Sequence, residues 1–180
     1  MIDSTKPIDD ATPFGDVSGL KLPNDKVYTL NEVYEKEAPF CYSWMMDVHN
    51  EMFGDVWDWA GKLRKIELSI GIKAYLVPME LKKLCDDITY WDKNKTFDIF
   101  ETAARIHHRA VQIHPFVNGN GRWSRMLANI YLRQNGKMPV RWQEDLLAKE
   151  NPKRSTYIQA LKKADNSNYD DLIALHKITY

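Results

Sequence analysis

The sequence predicts a mainly α fold, a helical bundle around a central helix–loop–helix, with one small β-hairpin. Three observations predict it. Apolar residues recur at helical spacing along most of the chain. A glycine-rich segment from His114 to Arg125 joins two such stretches. One segment, 65–77, changes to a period of two, which is the period of a strand.

Each element follows in turn. Residues 1–28 hold Pro7, Pro13, Gly15, Gly19 and Pro23 and read as an irregular N-terminal leader; 29–180 read as one domain. Thr29-Leu-Asn-Glu32 is a capping box that starts a helix, and Pro39 breaks it. Cys41, Met45, Val48 and Met52 mark one face of the next helix, closed by Gly54. Ile66, Leu68, Ile70, Ile72, Ala74 and Leu76 then alternate with Lys65, Glu67, Ser69, Gly71, Lys73 and Tyr75. That alternation predicts a hairpin turning at Ser69 to Gly71. Leu81, Leu84, Cys85 and Ile88 form a helical face after Pro78. Phe97, Phe100, Ala104, Ile106, Ala110 and Val111 form another, ended by Pro115. Trp123, Met126, Leu127, Ile130 and Tyr131 resume the helical period, with Gly136 as its C-terminal cap. Two short helices are expected near 155–163 and 169–178.

Composition narrows the function classes. A chain of 180 residues fits one domain by the prior of about 100–200 residues each. Lys plus Arg and Asp plus Glu both number 25, so the formal net charge is zero and the basic excess of a nucleic-acid scaffold is missing. No apolar run reaches the eighteen or so residues of a membrane span. The polar, acidic start has no apolar signal core. Cys41 and Cys85 lack metal spacing and read as buried free thiols in a reducing cytoplasm.

The segment His114-Pro-Phe-Val-Asn-Gly-Asn-Gly-Arg-Trp-Ser-Arg125 concentrates the parts of a phosphate site. His114 is a candidate proton acceptor. Gly119 and Gly121 let backbone N–H groups approach an anion. Asn120 adds an amide. Arg122 and Arg125, three apart, share one side of a helix and offer forked donors to phosphate oxygens. A loop opening a helix also carries free N–H groups and partial positive charge. The segment is neither a Walker A loop, since no Gly-Lys-Ser/Thr follows, nor a dinucleotide fingerprint, since a helix precedes it.

This segment closely resembles the signature of the Fic family, His-Pro-Phe-x-(Asp/Glu)-Gly-Asn-Gly-Arg-x-x-Arg. Every fixed position matches except Asn118. Met52-Phe-Gly-Asp-Val-Trp-Asp-Trp-Ala-Gly-Lys-Leu-Arg64 resembles the stretch before the family's target-binding hairpin. Asp10-Ala-Thr-Pro-Phe-Gly15, together with Asn118, resembles the small bacterial subgroup called mobile mystery protein B.

The resemblance implies a Fic-type bundle with 114–125 as its motif loop. It also implies transfer of AMP from ATP to a hydroxyl of a target protein, in a toxin-like role, in the cytoplasm. His114 is then the base that takes the target's proton. Gly119, Asn120 and Gly121 cradle phosphates, Asn120 also through its side chain. Arg122 binds the β-phosphate and Arg125 steers the γ-phosphate. Pro115 and Phe116 are structural anchors. The hairpin becomes a flap in which Ser69, Ile70, Gly71 and Ile72 hold an extended target segment by strand addition. Magnesium accompanies ATP, and here Asn118 offers it only a neutral carbonyl oxygen in place of a carboxylate.

Other residues are assigned humbler roles. His107 and His108 point in different directions and are left to helix packing and solvent; His49 receives no chemistry. Trp57 and Trp59 are expected to pack the base of the hairpin. Many Fic proteins carry an inhibitory Ser/Thr-x-x-x-Glu-Gly/Asn helix. Only Glu150 here is followed by Gly or Asn, and Leu146 stands where Ser or Thr belongs. Either a separate antitoxin-like partner restrains Arg125, which is the favoured expectation, or the weak metal site makes restraint unnecessary. Two rivals stand beside AMP transfer: a noncatalytic module that binds nucleotide or protein, and a Doc-like kinase moving the γ-phosphate. Neither nucleic acid nor membrane is expected as a partner.

Overall fold

The computed structural model describes residues 38–140, 142 and 152–178. The leader and the Thr29–Glu32 capping box lie outside these residues, as do Leu146 and Glu150. Six α-helices order the described chain: α1 Tyr42–Phe53, α2 Val77–Asn94, α3 Ile99–Ile113, α4 Asn120–Gln134, α5 Pro152–Asp165 and α6 Asp170–Lys177.

Each helix begins and ends for a local reason. The α1 face Met45, Val48, His49, Met52 and Phe53 is buried, and Gly54 closes the helix. A 3-10 turn at Ala74–Leu76 leads into α2, whose Pro78 sits in the first turn, where no intrahelical N–H is needed. Lys95, in the left-handed region at φ 49°, ends it. Asp98 caps α3, its side chain accepting from the Glu101 N–H at 2.9 Å. Gly136 (φ 70°) follows the Asn135 cap of α4, and Lys137 N–H returns to Leu132 O at 2.9 Å.

The α3 helix is the axis of the molecule, packing against α4, α2 and α6. Its Ala103, Ile106, Ala110 and Ile113 enter the main core with Phe53, Leu81, Leu84, Phe116, Trp123, Leu127 and Ile130. Its Ala104 meets Ala160, Ala164 and Leu172 of α5 and α6 in a smaller cluster. Large side chains fully buried in this way contribute about 1.5–3 kcal/mol each. Because α3 and α4 are fixed on several sides, the loop between them is fixed as well.

The structure corrects four expectations. No strand occurs among the described residues. Segment 65–77 bends at 69–72 and ends in the 3-10 turn. Beyond the local bonds of that turn, several of its backbone groups bond to side chains. Ile66 O and Ile72 O accept from the Arg64 guanidinium, and Ala74 N–H donates to the Glu67 carboxylate at 3.2 and 3.3 Å. Period two therefore marks neither a ladder nor a buried face, since Ile66 and Ile70 are exposed while Leu68, Ile72, Ala74 and Leu76 are half-buried. Accordingly Trp57 and Trp59 do not pack a hairpin base: they stack on each other with centroids 4.6 Å apart, and Trp57 packs on Phe53.

Cys41 is exposed, because it precedes the first turn of α1; Cys85 is buried and both are free. His107 and His108 are both buried, because α5 and α6 close over α3. His107 meets His176 at 3.2 Å and the Tyr157 hydroxyl at 2.9 Å, while His108 meets Asp165 and the Tyr169 hydroxyl. No described helix is long and apolar enough to cross a membrane.

Candidate active site

The α3 helix ends at Ile113, and His114 caps it in the left-handed region (φ 55°, ψ 60°), its N–H donating to Ala110 O at 3.1 Å. The helix thus ends just before Pro115, as the sequence predicts, with His114 out of the right-handed α region. A non-glycine residue costs roughly 1–2 kcal/mol in the left-handed region. The turn aims the buried imidazole back along α3, where Nδ1 lies 3.0 Å from Val111 O. A carbonyl oxygen only accepts, so Nδ1 carries a proton and Nε2 is the nitrogen left for proton exchange.

The loop beyond is braced by its own residues. Phe116 is fully buried, stacked on His49 at 3.7 Å and edge-on to Trp123 at 5.1 Å. Its N–H donates to Asn120 Oδ1 and its carbonyl accepts from Asn120 Nδ2, both at 2.9 Å. The Asn120 side chain thus points into the protein. The side chain expected to meet phosphate is engaged with Phe116, while the Asn120 main chain lies in the first turn of α4. Gly119 (φ 81°) permits the entry into α4, since a Cβ there would lie 2.7 Å from Phe53 and 3.1 Å from His49 Nε2.

His49, given no role from the sequence, holds the loop from below. Gly61 N–H donates to its Nδ1 at 3.0 Å, so its Nε2 carries the proton and donates to Asn118 O at 3.0 Å. Burial, together with the Arg122 charge, pushes its pKa down to about 3, so the ring stays neutral. Arg64 is the other unexpected contributor: its Nε donates to His114 O at 2.6 Å. The partners of His49 and Arg64 lie 69 and 50 residues away in sequence, beyond any local pattern.

Arg122 and Arg125 are buried one turn apart at the start of α4. The Arg122 guanidinium lies over Phe53 at 4.6 Å and Trp57 at 5.8 Å; that of Arg125 lies 5.8 Å from the Trp142 ring and 5.9 Å from Tyr157. Their charges add to the positive end of the helix, a combination suited to phosphate oxygens. Of the flap residues, Gly71 comes nearest the chemistry, since a Cβ there would lie 2.5 Å from His114 Cβ. Ile70 is exposed and Ile72 half-buried.

Asn118 Oδ1 accepts from Gly119 N–H at 2.6 Å. Among the described residues no three His, Cys, Asp or Glu side chains are grouped as for a metal ion. Magnesium favours anionic oxygens. One neutral oxygen already accepting a hydrogen bond does not make a protein-held magnesium site.

Comparison with known proteins places this geometry. The model of the Fic/DOC family matches residues 39–132, which is more than half of the chain. The chain belongs to the Fic/DOC family. Among curated relatives, protein adenylyltransferase fic-1 of Caenorhabditis elegans is 28% identical over 142 residues, covering 68% of this chain and 28% of the relative. Protein adenylyltransferase Fic of Drosophila mojavensis is 30% identical over 128 residues, covering 69% of this chain and 24% of the relative. The chain thus spans less than a third of the length of these relatives.

Solved structures show the same Fic fold. Fic-1 of C. elegans superposes with a TM-score of 0.67 at 21% identity, covering 88% of this chain and 50% of that one. The BepC protein of Bartonella tribocorum, solved with AMPPNP, gives 0.59 at 18% identity, covering 85% and 81%.

Proposed function

We propose that this Fic domain is a protein adenylyltransferase that moves AMP from ATP to a hydroxyl side chain of a target protein. The observation that carries the reading is the tautomer of His114. With Nδ1–H directed at Val111 O, Nε2 is the ring nitrogen that would take the proton of a target hydroxyl, beside the start of α4 and its two arginines. The target oxygen attacks the α-phosphorus and forms a new O–P bond. The bond from that phosphorus to the bridging oxygen breaks, and pyrophosphate leaves with the electron pair. The hydroxyl proton passes to His114 Nε2. Backbone N–H groups at Asn120 and Gly121 donate to phosphate oxygens, joined by that of Gly119 once ATP displaces Asn118 Oδ1 from it, and Arg122 and Arg125 balance the charge on the leaving pyrophosphate.

Segment 65–77 is the target's seat in this reading. Its support is the closeness of Gly71 to His114 and the exposure of Ile66 and Ile70. An extended target segment docking there would supply the strand partner that the segment lacks among the described residues. ATP brings its own magnesium, held mainly by the phosphates, with Asn118 as the neighbouring side-chain oxygen. Membership of the bacterial mobile mystery protein B subgroup, a cytoplasmic toxin-like role and a separate inhibitor directed at Arg125 complete the proposal. Their support is the leader motif, Asn118 and the lack of an inhibitory motif in the sequence.

The bond from Gly119 N–H to Asn118 Oδ1 favours a second reading, a Fic-fold module that binds nucleotide or protein with little turnover. ATP labelled at the α- or γ-phosphate separates the alternatives, using the wild-type protein and His114→Ala in a cell lysate. Transfer of α-label that requires His114 is expected. Transfer of γ-label means a kinase, and saturable binding with no transfer means the binding module.

A further inference from the structure

Arg64 is buried between the motif loop and segment 65–77, and it bonds to both. Its main-chain N–H donates to Pro115 O at 2.9 Å. Its Nε donates to His114 O at 2.6 Å, its Nη1 to Ile66 O at 2.9 Å and its Nη2 to Ile72 O. One planar guanidinium therefore gathers three carbonyls. Two come from opposite arms of the segment and one from the residue that carries the base. Lysine, with a single nitrogen, cannot hold three carbonyls in this arrangement.

One strained position and one close approach meet at this point. His114 is left-handed without being glycine, and Gly71, at φ 96°, passes so close that a Cβ would lie 2.5 Å from His114 Cβ and 3.1 Å from Arg64 Nη2. A left-handed non-glycine residue persists only where surrounding contacts over-determine it. The Arg64 bonds provide that constraint on both sides of the gap.

We propose that Arg64 is a positioning residue: it fixes the separation and orientation of the target-holding segment relative to His114, so that an arriving hydroxyl meets Nε2. This rests on His114 as base and 65–77 as target seat. The nucleotide is not part of the device. Loss of Arg64 therefore affects the protein target and the chemical step, and leaves ATP binding alone.

The test uses the full chain with Arg64→Ala and Arg64→Lys. Isoleucine methyl spectra report on the two regions separately. Ile66, Ile70 and Ile72 read the segment, Ile113 reads the turn at His114, and Ile88 and Ile130 read the core. In Arg64→Ala the first four resonances shift together while the core pair stays. Arg64→Lys shows the same joint shift at smaller size, and carries the test if the alanine variant does not fold. In the α-label assay, Arg64→Ala raises KM for the target and lowers kcat, each about tenfold, within the cost expected of a misplacement near 1 Å. KM for ATP is unchanged, and guanidinium ion added to Arg64→Ala restores part of the rate. The proposal is overturned if the segment resonances move while Ile113 stays, or if target KM and kcat remain those of the wild type. Should the wild type transfer no label, adenylyl transfer fails as the function, and the joint methyl shift alone decides the role of Arg64.

Discussion

The two sides of the site are held in different ways. The motif loop braces itself: Asn120 satisfies both backbone groups of Phe116, Asn118 bonds to Gly119, and His49 fastens Asn118 from below. Segment 65–77, facing it, is held by side chains, with Arg64 taking Ile66 O and Ile72 O and Glu67 taking Ala74 N–H. The loop is thus part of the core, and the segment is suspended over it. Changes in the loop should cost stability, whereas changes in the segment should cost alignment at modest loss of stability.

Acid makes the largest test of that contrast. Burial first, helped by the Arg122 charge, holds the His49 pKa down at about 3, and burial holds His176 at about 4, both from an ordinary 6.5. Burial also pushes His107 well below its usual range. The unfolded chain takes up protons that the folded chain refuses. Stability is therefore full above pH 6.5 and falls as pH drops below it, by about 2 kcal/mol per histidine between pH 6.5 and 5. Urea unfolding across this range should show the decline, and His49→Gln should lessen it by one histidine's share. A stability that is level from pH 7 to 5 would break the link between buried neutral histidines and the braced loop.

Next in size is Asn120→Ala, which leaves the buried N–H and C=O of Phe116 without their partner. A loss of about 2–4 kcal/mol is expected in denaturant unfolding, since each stranded buried group costs about 1–3 kcal/mol. Gly71→Ala probes the suspended side. It should destabilise by about 1–2 kcal/mol from the left-handed strain of a non-glycine residue, plus whatever shift of the segment the new Cβ demands. It should still cut transfer to the target sharply, because its Cβ would meet His114 Cβ at 2.5 Å. If Gly71→Ala lost stability as Asn120→Ala does while keeping its transfer rate, the contrast would be reversed. The smallest effect belongs to Asn118→Asp. It should leave the melting temperature nearly unchanged and raise α-label transfer only when magnesium is limiting, because a carboxylate adds an anionic oxygen beside the phosphates. A magnesium titration reads it, and equal rates throughout would remove Asn118 from any metal role.

The same contrast explains what the sequence disclosed. The loop and its helices are written locally: the Met45, Val48 and Met52 stripe, the cap at Gly136, and the run from His114 to Arg125 all fall within a few turns of chain. Segment 65–77 misled because alternation of residue types says nothing of whether a backbone partner exists, and two of its apolar residues, Ile66 and Ile70, are exposed. The strand reading failed when Arg64 and Glu67 took backbone groups that a ladder would have used. His49 was hidden for a related reason. It sits four residues after Met45 on the buried face of α1, and its partner Asn118 is brought to it only by the packing of the bundle. Asn120 shows the limit of motif reading, since a polar residue in a phosphate loop spends its side chain on the loop itself.

The central claim is that His114 Nε2 accepts the proton of a target hydroxyl as AMP is transferred. The most direct measurement is mass spectrometry of lysate proteins after incubation with the full chain, ATP and magnesium, beside an equal amount of folded His114→Ala. The account predicts AMP on Ser, Thr or Tyr side chains with the wild type and none with the variant. AMP at equal levels with both proteins, or phosphate in place of AMP, would contradict it.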